Sequence, residues 1–239
     1  MTQTDPIPGA EPSRREALEQ RVESALEQVK PKLRGWLHVG MTPVALVSGI
    51  ILIVLAGTTR EKVSAAVFAG TAVLLFGTSA VYHRGTWSPR VGGFLRRFDH
   101  SNIFLIIAGT YTPFALLLPT EQARRMLIIV WSGAVVGVLF RVFWAGAPRW
   151  LYVPAYMMLG WVAVFYFGPL LQHGGAAVMT WVVIGGALYS LGAIVYGTKR
   201  PNFSPRWFGF HEVFHALTIL AFTAHFVAAS LALTGPATA

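Results

Sequence analysis

The sequence has no cysteine and few acidic residues: ten Asp and Glu in 239 positions, beside nineteen Lys and Arg. The absence of cysteine excludes disulfides and thiolate metal sites, so any metal must be held by His, Asp, Glu or water. Charge of either sign is scarce, 12% of residues where soluble domains carry roughly 25%. With 54% apolar residues and a mean hydropathy of +0.56, the composition is that of a membrane protein. A net charge of +9 would suggest nucleic acid in a soluble chain. Basic loops facing the cytoplasm explain it more simply here, and no nucleic-acid partner is expected.

Seven apolar stretches, near 37–57, 63–83, 99–118, 126–145, 150–170, 176–197 and 209–233, each approach the ~20 residues that a spanning helix needs. The connections between them are short, and no internal repeat or low-complexity tract is present. The expected fold is all-α: a seven-transmembrane helix bundle over 35–239, preceded by a cytoplasmic segment over 1–34. The first apolar run begins too late for a cleaved signal peptide. Within the N-terminal segment, Ser13 and Glu16 are spaced as a capping box, and Leu18, Val22, Ala25, Leu26 and Val29 recur at helical spacing. This describes either an amphipathic helix on the inner membrane surface or a solvated helix with an apolar stripe.

Lys and Arg set the expected orientation. The N-terminal segment, the connection holding Arg84, Arg90, Arg96 and Arg97, the pair Arg141 and Arg149, and the group Lys199, Arg200 and Arg206 would share one side. Only Arg60, Lys62, Arg124 and Arg125 fall on the other. The positive-inside rule therefore places the N-terminus in the cytoplasm and the C-terminus outside.

Ionisable groups within a bilayer are costly and tend to be functional. Outside the N-terminal segment and the outer-loop residues Glu61 and Glu121, the acids that remain are Asp99 and Glu212. In the expected topology His38, His83, Asp99, His100, His211 and His215 all fall at the inner-leaflet end of four helices. His211 and His215 are four apart, so their rings leave one helical face a turn apart, and Ser79 and His83 have the same relation. These positions are expected to form one metal site: His83, His211 and His215 as ligands with a fourth position open, and Asp99 and Ser79 beside it in catalytic or orienting roles. An all-His/Asp donor set suits several divalent metals. His173 and His225 are expected to serve packing or helix-to-helix hydrogen bonding. "HEVFH" over 211–215 also matches the zinc-protease signature, in which Glu212 would be the general base.

The motifs "RGWLH" (34–38), "SAVYH" (79–83), "FDHSNIFLIIAGTYTPF" (98–114) and "GFHEVFH" (209–215) resemble the haemolysin III branch of the progestin and adipoQ receptor family, and more distantly the alkaline ceramidases. The resemblance covers essentially everything after residue 30. It implies a multi-pass protein of the bacterial inner membrane with zinc on His83, His211 and His215 near the cytoplasmic side. Asp99 would lie close to the zinc or its water, and Ser79 would support the site. The activity implied is zinc-dependent hydrolysis of a lipid amide or ester in membrane lipid homeostasis, with membrane lipids as partners. The alternatives are a non-enzymatic membrane-state sensor with a structural zinc, closed by Asp99 as fourth ligand, and, further off, a haemolytic pore-former or an intramembrane protease. Pro113 in "GTYTPF" is expected to bend the third helix and to free a carbonyl near Gly109. Of the aromatics near the site, Tyr82, Phe98, Tyr111, Phe210 and Phe214, core packing is the expected role.

Overall fold

The computed structural model describes residues 31–144, 146–204 and 206–235. The N-terminal amphipathic pattern therefore lies outside the described residues. Within them the chain is helical: α1 (Trp36–Leu55), α2 (Thr59–Arg84), α3 (Pro89–Ala115), α4 (Thr120–Phe143), α5 (Arg149–Gly160), a 3₁₀ stretch (Trp161–Tyr166), α6 (Phe167–Thr198) and α7 (Phe210–Thr234).

Local chemistry accounts for the boundaries. Thr58 and Glu61 form a reciprocal capping box at the start of α2. Ser88 caps α3, with Pro89 in the first turn where its missing N–H costs nothing. At the end of α2 the Trp87 indole donates to the carbonyls of Val81 and Tyr82 at 3.2 and 3.3 Å, beside the Gly85 N–H that also bonds Val81, and so tethers the turn to the helix end. These two signals put the start of α3 at Pro89, well before the apolar stretch that begins at 99. Asp99 and His100 accordingly sit about three turns inside a helix rather than at its beginning.

Five helical segments among the described residues are long and apolar enough to cross a bilayer, with Arg149–Thr198 taken as one run of 50 residues. α3 falls outside that set: Arg90, Arg96 and Arg97 lie in its first turns, and Asp99, His100 and Asn102 keep the rest of it too polar. A straight helix of 50 residues would measure about 75 Å, more than twice the roughly 30 Å of hydrocarbon in a bilayer. The run is broken instead. Gly175 adopts φ 78°, ψ 169°, a conformation open to glycine. The Arg149 guanidinium at the start of α5 then lies 5.0 Å from the Tyr196 ring near the end of α6, so the run doubles back. The Tyr111 hydroxyl donates to the Gly160 carbonyl at 2.6 Å and accepts from the Ala163 N–H at 2.8 Å. It thereby serves backbone groups where α5 gives way to the 3₁₀ stretch.

Sequential helices pack as neighbours, and α7 returns against α1, α2 and α3. Polarity is inverted relative to a soluble protein. Val54, Val136 and Phe165 face outward, 71, 66 and 85% exposed, while Ser79, His83, Asp99, Asn102, Arg141, Glu212 and His215 are buried. An apolar exterior around a polar interior suits lipid as solvent. Pro113 lies inside α3, and Gly109 beside it lets α2 approach: a Cβ there would stand 2.1 Å from the Thr71 hydroxyl. Close helix packing is thus the visible role of this segment.

Candidate metal centre

The expected ligands come together from helices far apart in sequence. His83 on α2 and His211 and His215 on α7 each offer a ligand atom, and these atoms all lie within 4.8 Å of one another. The Nε2 atoms of His83 and His211 are 3.2 Å apart. A tetrahedral ion held at 2.0–2.1 Å by imidazole nitrogens sets its ligands about 3.3 Å apart. The donor set and its spacing therefore fit one metal ion, with His83 and His215 buried and His211 partly so.

Asp99 enters from α3. Its Oδ2 is 3.8 Å from His83 Nε2, too far for a hydrogen bond and near enough to face whatever the histidines hold. The Ser79 hydroxyl, one turn before His83, faces the Asp99 carboxylate. All five expected site residues, Ser79, His83, Asp99, His211 and His215, thus meet in one place.

Glu212 does not join them. One carboxylate oxygen takes the Arg34 Nε–H in an ion pair, and the other accepts the Gly209 N–H at 2.8 Å. Both oxygens are committed to holding the first turn of α7 against the segment before α1. That segment is fixed further by N–H bonds from Lys32 to the Arg206 carbonyl and from Leu33 to the Trp207 carbonyl, 3.0 and 3.3 Å.

Two contributions were not assigned from sequence. The His38 ring stacks on His215, centroids 3.8 Å apart and planes 13° from parallel. Neither of its nitrogens makes a hydrogen bond of good geometry, although the ring approaches the His215 backbone. Gly35 passes so close to His83 that a Cβ would stand 2.8 Å from the His83 Cβ, and its φ is +83°. The signal for both was the "RGWLH" stretch, in which Arg34, Gly35 and His38 all turn out to contact α2 or α7. His100 is adjacent but occupied: Nδ1 meets the Arg96 carbonyl at 2.8 Å and Nε2 the Tyr196 hydroxyl at 3.2 Å. His225 bonds the Val182 carbonyl at 3.1 Å, the helix-to-helix role expected of it.

The centre stands between two spaces of opposite character. On one side an apolar cavity begins at Ser79, Asp99 and His215 and runs along the bundle past Ile107, Tyr111 and Phe114 to His225. On the other a polar mouth is floored by His83 and His211. Phe214 lines the cavity, Tyr82 and Phe210 line the mouth, and Phe98 stacks on Phe94 away from both.

Comparison with known proteins gives the family. The family described as Haemolysin-III related matches residues 26–226. The chain is 32% identical to the Hemolysin-3 homolog of Bacillus subtilis (strain 168), over 73% of this chain and 79% of that protein. It is 30% identical to Hemolysin-3 of Bacillus cereus over 71% and 76%. Similarity extends to the Adiponectin receptor protein of Drosophila melanogaster, 25% identical over 70% of this chain and 42% of that protein. With apolar helices enclosing a buried histidine triad able to bind a metal ion, the chain is a multi-pass membrane protein and a member of the haemolysin-III-related family.

Proposed function

We propose that this is a seven-pass membrane protein, N-terminus in the cytoplasm, whose histidine centre binds zinc and hydrolyses an amide or ester of a membrane lipid. The observation that carries the reading is the placement of the triad and Asp99 at the end of an apolar cavity within the bundle. A structural staple between α2 and α7 has no use for such a cavity; a hydrolase needs one to hold an acyl chain. The doubling back of Arg149–Thr198 supports counting that run as two passes.

His83, His211 and His215 would hold the ion, which when bound supplies polarisation of a carbonyl and acidification of water. The chain's own residues do the rest. The cavity aligns the acyl chain so that its carbonyl carbon lies beside the triad. Asp99, fixed by Ser79, accepts a proton from the attacking water as the oxygen bonds to the acyl carbon. It then passes that proton to the nitrogen or oxygen that departs when the old acyl bond breaks. The outward apolar faces of the helices support this reading, since they set the bundle among membrane lipids.

Metal analysis by mass spectrometry on the full chain in detergent, with turnover of lipid amides, tests the reading. The expected results are about one zinc per chain, lost in His83→Ala and in His215→Ala, and hydrolysis that depends on it. Metal present without turnover of any lipid amide or ester would overturn the hydrolase and leave a membrane-state protein with a zinc staple.

A further inference from the structure

The far end of the apolar cavity carries two polar groups that the hydrolase reading leaves idle. His225 on α7 and Tyr189 on α6 both line it, with ring centroids 5.5 Å apart. The His225 Nε2–H donates to the Val182 carbonyl at 3.1 Å, which fixes the tautomer and leaves Nδ1 as a bare acceptor. That Nδ1 is buried without a hydrogen-bond partner, and so is the Tyr189 hydroxyl. Other hydroxyls along the cavity wall are occupied. Those of Thr110, Thr218 and Ser190 bond carbonyls of their own helices, and that of Tyr111 serves Gly160 and Ala163.

Packing alone does not account for the pair. The His225 ring is held by the Val182 carbonyl, by the edge of the Phe114 ring at 6.0 Å, and by Gly185, where a Cβ would stand 2.3 Å from the His225 Cδ2. α6 thus has a glycine where the imidazole needs room, and Tyr189 follows it one turn later on the same face. An apolar side chain would fill this space without penalty, whereas an unmade hydrogen bond in a hydrocarbon wall is costly. One idle group is an acceptor and the other a hydroxyl free to donate, so together they complement a single ligand hydroxyl. It would donate to Nδ1 and accept from Tyr189; a plain methylene chain satisfies neither.

The distance along the bundle sets where that hydroxyl would be. His225 lies ten residues beyond His215 on α7, a rise of about 15 Å. With C–C bonds of about 1.5 Å in zigzag, an extended chain of about twelve carbons covers that distance. We propose that this end of the cavity is a hydroxyl-binding site, so that the acyl chains preferred are those hydroxylated about twelve carbons from the carbonyl. The chain length rests on the hydrolase reading, which puts the carbonyl at the triad, but recognition of the hydroxyl does not require turnover.

The test is binding, read by isothermal titration on the zinc-loaded full chain in a neutral detergent. The probes are 12-hydroxydodecanoic acid, dodecanoic acid, and 6-hydroxydodecanoic acid, which has the same polarity with its hydroxyl at the wrong depth. The 12-hydroxy acid should bind one per chain and roughly tenfold more tightly than either other probe, the worth of two added hydrogen bonds. Tyr189→Phe removes only an unpartnered hydroxyl, so this variant should unfold no earlier than the parent. It should lose most of the preference while binding dodecanoic acid unchanged, and His225→Phe should lose the preference as well. Equal affinity for the three acids, a preference for the 6-hydroxy acid, binding of none of them, or a preference untouched by Tyr189→Phe would overturn the proposal. Amides of the same acids separate it from the hydrolase reading. Cleavage of all three at equal rates would defeat the hydroxyl site and leave the hydrolase standing; the binding preference with no cleavage of any would do the reverse.

Discussion

Arg34 and Glu212, separated by 178 positions in sequence, form an ion pair that fastens the entry to α1 onto the first turn of α7. Glu212 is 1% exposed, and its second oxygen caps the helix that carries His211 and His215. The pair therefore stabilises the helix that presents His211 and His215 without joining the triad itself.

Glu212→Gln should destabilise the protein by about 3–5 kcal/mol, the usual cost of leaving a buried charge without its partner. Arg34→Gln should cost a similar amount, and the double variant less than the two singles together. Thermal unfolding in detergent measures this. At temperatures where Glu212→Gln is folded it should hold metal and turn over lipid as the parent does. A fully stable Glu212→Gln that has lost turnover would restore the protease-type general base.

Gly35→Ala tests the contact between the entry segment and His83. The left-handed φ alone costs about 1–2 kcal/mol for a residue with a Cβ, and the clash with the His83 Cβ adds to it. The expected outcome is a lower unfolding temperature and weaker zinc retention against a chelator. Loss of stability with unchanged zinc affinity would mean that His83 tolerates the shift.

His38 is placed by its stack on His215 and not as a ligand. His38→Phe should preserve the stack and retain about one zinc per chain, whereas His38→Ala opens a void beside His215 and loosens the metal. Zinc loss in His38→Phe at normal stability would make His38 a ligand.

Asp99→Asn should keep the metal and lose turnover by a factor of about 10²–10⁴, the range of a positioned general acid and base. Ser79→Ala, which frees the carboxylate without removing it, should cost less. Metal release from Asp99→Asn would place the carboxylate on the ion and favour the closed structural site.

Much of the site was legible before the fold was known because membrane insertion makes charge expensive. In a chain whose spans tolerate few ionisable groups, His83, Asp99, His211 and His215 stood out by rarity, and helical spacing paired His211 with His215. The start of α3 was misplaced because hydropathy marks where a chain enters hydrocarbon, not where a helix begins. Ser88 and Pro89 carried that boundary in their capping chemistry. The break at Gly175 was foreshadowed only by the gap between two apolar stretches, since one glycine among many gives no sign of its φ.

By itself the sequence determined that the protein is helical, membrane-embedded and cysteine-free, and that its polar groups gather at one end of the apolar runs. Those properties follow from composition and periodicity, which act locally and survive any rearrangement of the helices. Only the tertiary structure decided that His38 stacks on His215, that Glu212 turns to Arg34 and away from the triad, and that the centre divides an apolar cavity from a polar mouth. Each of these depends on the rotation and offset of one helix against another, and packing sets both through contacts between residues that lie far apart along the chain.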